Sequence, residues 1–63
     1  MDNLETFEAN MRNPMVSDQD VKNEFYDLAK GVTLVREGLM LHLLEQYRPV
    51  VFKQVKQELG RIY

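Results

Sequence analysis

The chain has 63 residues, 44% of them apolar, with three tyrosines, three phenylalanines, no cysteine and one histidine; eight basic and ten acidic residues leave a formal charge of -2. Without cysteine there is neither a disulfide nor a thiolate zinc site, and the single His42 cannot build a metal centre from scattered carboxylates. An acidic balance mixed along the chain offers no footprint for a phosphate backbone, and no apolar run approaches the roughly 20 residues of a membrane span.

The start, Met1-Asp2-Asn3-Leu4-Glu5, is acidic where a signal peptide would be basic. The expectation is one domain over residues 1–63, soluble and cytoplasmic, with no nucleic-acid, membrane or metal partner and no cofactor. A chain this short removes only about 60% of its unfolded surface from water when it folds alone. Burial then comes close to cancelling ordering entropy, and small scaffolds are completed by disulfides, metals or partners. With the first two missing, a partner protein is what remains. No nucleophile, triad or acid/base pair can be assembled around His42, so an enzyme is not expected.

Leu4, Phe7 and Met11 recur at helical spacing behind a cap at Asp2 or Asn3, which predicts a first helix ending before Asn13-Pro14. Two turns alone are unstable, so residues 1–16 form an arm that packs on the rest, packs on a partner or frays. Ser17-Asp18-Gln19-Asp20 starts a second helix, because the serine hydroxyl accepts from an orphan N–H while acidic side chains meet the positive dipole end. Val21, Phe25, Leu28, Ala29 and Val32 follow as one stripe, with Lys22, Asn23, Glu24 and Asp27 opposite. Gly31 either bends the chain, with the option of a left-handed cap after Lys30, or lies inside a continuing helix.

Val32, Leu34, Val35, Leu39, Met40, Leu43, Leu44 and Tyr47 carry a further helical pattern interrupted by Gly38, and the row from Leu39 to Tyr47 reads as core ahead of partner groove, both holding if the chain wraps around its partner. Arg48-Pro49 breaks it, since the residue before proline is pushed out of the α region and proline suits the first turn of a new helix. Val50, Val51, Phe52, Val55, Leu59 and Ile62 then form a last helix with Lys53, Lys56, Glu58 and Arg61 outward. The expected fold is all-α: a small bundle of three to four short helices wrapping around a partner. Met11, Met15 and Met40 read as gap fillers, and Tyr47 and Tyr63 as candidate interface aromatics.

Residues 31–38, Gly31-Val32-Thr33-Leu34-Val35-Arg36-Glu37-Gly38, are the segment with the most functional promise. On a helix, Thr33 and Glu37 are one turn apart and present a hydroxyl and a carboxylate together. Gly38 removes a side chain beside that carboxylate, so either the helix bends there or something approaches closely. Glu37 also reads as a solvated glutamate in a weak pair with Arg36. A hydroxyl residue, three intervening residues, then Glu-Gly resembles the inhibitory motif of Fic-domain antitoxins.

That resemblance implies a small helical inhibitor forming a heterodimer with a Fic-domain toxin or effector, an adenylyltransferase. Glu37 would pair with the active-site arginine that binds the ATP γ-phosphate, Thr33 would anchor the helix at the active-site mouth, and Gly38 would give clearance. Leu34 and Arg36, inside the motif, complete the expected contact set. ATP would then enter only in a pose unfit for in-line transfer, where positioning is most of the catalysis. Two other classes stand beside this one. A helix-turn-helix regulator of phage or plasmid origin would use Lys53, Gln54, Lys56, Gln57 and Arg61, although Glu58 and the acidic charge oppose it. An assembly protein would act by protein contact through its apolar stripes.

Overall fold

A computed structural model describes residues 3–62, with side chains over 4–60. Four helices account for most of it: α1 (Asn3–Arg12), α2 (Asp18–Ala29), α3 (Leu34–Tyr47) and α4 (Pro49–Ile62), with no strand among the described residues. The cap expected at the side chain of Asp2 or Asn3, and the positions given to Arg61, Ile62 and Tyr63 side chains, lie outside what is described.

Each boundary has a local cause. Asn13 folds the chain after α1: its Oδ1 accepts from the Met15 N–H at 2.9 Å and its carbonyl from Val16 N–H at 3.1 Å, a side-chain-mimicked turn. Ser17 Oγ then accepts from Asp20 N–H at 3.2 Å and starts α2. α2 stops at Ala29, and Gly31 N–H closes a tight turn on Leu28 C=O at 3.1 Å. Gly31 does not take a positive φ, so the left-handed cap is absent and the bend is made by the turn as a whole. α3 runs unbroken through Gly38. Arg48, with φ -137° and ψ 68°, leaves the helical region as a residue before proline must. Its N–H still donates to Leu44 C=O at 2.7 Å, and its own C=O accepts from Phe52 N–H at 3.0 Å, so one residue closes α3 and opens α4.

α1 packs on α2 and α3, and α4 packs on the same two helices, which closes the four into a ring around a single core. Each helix contributes a pair to it: Phe7 and Met11, Val21 and Phe25, Met40 and Leu44, Val51 and Val55. Phe7 and Phe25 meet with ring centroids 6.3 Å apart and tilted by 41°, within the favourable range for aromatic pairs.

Several outward assignments change. Glu24 and Lys22 are half-buried rather than free on the far face of α2, with Glu24 accepting from Asn10 Nδ2 at 2.8 Å and Lys22 Nζ 3.1 Å from Glu58 Oε2. Met11 and Met40 fill the core, whereas Met15 stands 89% exposed in the α1–α2 loop. The row from Leu39 splits: Met40 and Leu44 are buried, Leu43 and Tyr47 half-buried, and Leu39 is exposed. None of the described helices is long and apolar enough to cross a membrane.

Candidate functional site

The segment singled out in the sequence lies where the α2–α3 turn becomes α3. Thr33 is the N-cap, with φ -72° and ψ 164°, and its Oγ1 accepts from Arg36 N–H at 3.3 Å. Glu37 N–H donates to Thr33 C=O at 2.9 Å. Thr33 therefore stands at the mouth of the helix rather than inside it, and its hydroxyl oxygen is turned along the axis to satisfy an orphan amide. The Thr33 hydroxyl oxygen is thus engaged by the cap.

Glu37 sits in the first turn of α3, where the helix dipole favours a negative charge, and is half-buried. It lines a cleft of about 480 Å³ between the start of α3 and the end of α4, together with Leu34, Leu41, Phe52, Lys56 and Leu59. The walls are mostly apolar, with one acid on the α3 side and one base on the α4 side. Lys56 Nζ lies 5.5 Å from the Phe52 ring centroid, so the cation is held along the aromatic wall. At the rim, Leu34 is 82% exposed, while Val35, 76% exposed, lies outside the walls of this cleft. Gly38 is exposed as well, and a Cβ built there meets nothing within 4 Å.

The remaining candidates divide. Arg36 shares a different hollow, of about 330 Å³, with Leu4, Leu28, Val32, Thr33 and Met40. His42 is exposed beside Glu5, Glu8 and Leu39 in a third, shallower one. So Leu34 and Glu37 come together with Gly38 at their edge, while Thr33 and Arg36 form the neighbouring cap. The sequence shows Phe52 only as an apolar position of the last helix and Lys56 only as an outward base, and joins neither to Glu37, although the spacing of four residues places the two on one helical face.

The sequence shows Arg48 only as a helix breaker, yet its side chain is 13% exposed and each guanidinium nitrogen donates a hydrogen bond. Nε donates to Met11 C=O at 2.9 Å, Nη1 to Asp18 Oδ1 at 2.7 Å, and Nη2 to Asn13 C=O at 2.9 Å and Val16 C=O at 2.7 Å. This is a structural clasp on the α1–α2 loop, and no local pattern announces it. No family model, curated protein or solved structure matches this chain, so a functional reading rests on the chemistry of the α3 face alone.

Proposed function

We propose that this chain is a non-catalytic binding protein that docks through the N-terminal half of α3, and that its partner is a Fic-type adenylyltransferase held inactive by Glu37. The observation that carries the reading is the placement of Glu37 beside exposed Leu34 in a mostly apolar cleft, with an unobstructed Gly38 next on the helix. Large apolar side chains at a helix start give up water when a partner covers them, at roughly 25 cal/mol per Å². A carboxylate inside that dry ring gains a strong, directional bond to an arginine, because charge-assisted bidentate pairs are strongest where solvent is excluded. Gly38 lets the partner's backbone come up to the carboxylate. Thr33, by capping α3, fixes where the first turn begins and hence where Glu37 stands.

The test uses ATP labelled on the α-phosphate and the Fic-signature protein encoded beside this chain, mixed with wild type or with Glu37→Gly. Labelling of a target with Glu37→Gly but not with wild type, while both chains co-purify with the enzyme, is the expected result. Equal labelling in the two mixtures, or the lack of such a neighbouring reading frame, overturns the enzyme half of the proposal. A second reading keeps the docking face and makes the chain a regulatory or assembly protein; the apolar walls of the α3–α4 cleft, formed by Leu34, Leu41, Phe52 and Leu59, favour it.

A further inference from the structure

We infer that the α3–α4 cleft is the contact face of a homodimer, each copy filling the cleft of the other. The inference does not rest on the inhibitor reading; both use Leu34 and Glu37, so a foreign partner binds this face only by displacing the second copy. A twofold interface requires one patch to carry both halves of every contact, since residue i meets j and j meets i. This patch does so. It holds an apolar knob, Leu34 at 82% exposed, beside an apolar hollow walled by Leu41, Phe52 and Leu59. It holds one anion on the α3 wall, Glu37, and one cation on the α4 wall, Lys56.

α3 and α4 are consecutive and joined through Arg48 alone, so they run back on each other, and Glu37 and Lys56 face the same stretch of cleft. A twofold axis lying along the cleft, parallel to both helices, sets α3 of one copy over α4 of the second at the same height. Glu37 then meets Lys56 of the second copy, and Lys56 meets its Glu37. Leu34 of each copy enters the hollow of the other, and the four helices form a bundle-like layer. Charge decides between a second copy and an apolar foreign segment. The latter would cover Glu37 and Lys56 while bringing no charge of its own, whereas the second copy brings an additional counter-charge to each.

Sedimentation equilibrium at about 10 to 100 μM, which reads micromolar affinities, tests this on wild type, Glu37→Lys, Lys56→Glu, and an equimolar mixture of the two variants. Wild type is expected at twice the mass of one chain. Each variant alone places like charges opposite each other and should associate at least about tenfold more weakly. The mixture restores both pairs across the axis, so mass should return to that of a dimer only when the variants are combined. An intramolecular role for Glu37 and Lys56 gives no such rescue. Neither side chain belongs to the core, and unchanged far-ultraviolet dichroism verifies folding; Leu34→Lys, expected monomeric, is an independent variant. A monomeric wild type hands the cleft to a foreign partner and overturns the inference, as do single variants that dimerise like wild type. Failure of the adenylyltransferase test leaves the dimer standing, and a monomeric chain leaves the inhibitor reading standing.

Discussion

The guanidinium of Arg48 reaches back across more than half the chain to the carbonyls of Met11, Asn13 and Val16, and so ties the end of α1 and the α1–α2 loop to the start of α4. Hydrogen bonds from a charged donor are worth about 1.5–3 kcal/mol each, but a freed loop recovers part of that from water. Arg48→Met should therefore cost about 2–4 kcal/mol in urea denaturation, while Asp18→Asn, at a side chain 56% exposed, should cost under about 1 kcal/mol. An Arg48→Met chain as stable as wild type would show that the loop holds itself. Tyr26 offers a pH-dependent counterpart. Its Oη donates to Glu58 Oε2 at 2.8 Å, and partial burial, then that bond and the Glu58 charge, push the phenol up from 10.0 to about 12. The folded state holds this proton more tightly than the unfolded state does. The contribution is thus complete below pH 10 and is lost as pH rises through about 12. Wild type should lose stability across that window more steeply than Tyr26→Phe, and the difference in tyrosinate absorbance between the two should rise near 12. A difference that titrates near 10 would detach Tyr26 from Glu58 in solution.

Among the elements, α3 departs furthest from a simple amphipathic helix, with Met40 and Leu44 buried while Leu34, Val35 and Leu39 face water. Gly38 in the middle of an exposed face costs about 1 kcal/mol relative to alanine, has no positive φ to justify it, and leaves open space above. Gly38→Ala should raise the isolated chain's stability by about 0.5–1 kcal/mol and weaken any complex formed over this face, measured as a thermal midpoint and a Kd. A drop in stability would mean that the backbone at Gly38 is constrained in a way the helix does not show. The boundaries legible in the sequence are local: Ser17 is a cap, Asn13-Pro14 ends α1, and Arg48-Pro49 must leave the α region. Thr33 as a cap rather than a mid-helix residue was not legible, since the same spacing of Thr33 and Glu37 fits both, and only the turn at Gly31 decides. Periodicity likewise could not tell buried Met40 from exposed Leu39, because an apolar residue carries no mark of which neighbour it faces. The clasp of Arg48 was invisible for a stronger reason: its acceptors are backbone carbonyls 32 to 37 residues away, which no side-chain pattern encodes.

At the scale of the whole molecule, the closed ring of helices makes α1 a structural member rather than an appendage. Phe7 is fully buried and stacks toward Phe25, and Met11 lies beside the same core. A domain of this length has a stability of order 0.05–0.15 kcal/mol per residue, hence about 3–9 kcal/mol in total. Truncating a fully buried phenylalanine removes about 3–5 kcal/mol through lost transfer energy and the cavity left behind. One substitution in α1 is therefore comparable with the entire margin, because so small a core has no other layer to absorb the loss. Phe7→Ala should abolish or strongly broaden the cooperative thermal transition and lower the helical signal of all four helices together, well beyond the fraction contributed by α1. If dichroism falls only by the share of one short helix and the remaining transition keeps its midpoint, α1 frays independently and the cooperative unit is α2 to α4. Self-association adds to this arithmetic, since a second copy bound only to the folded chain stabilises it by mass action. The wild-type midpoint should then rise with protein concentration, and Leu34→Lys should remove that dependence.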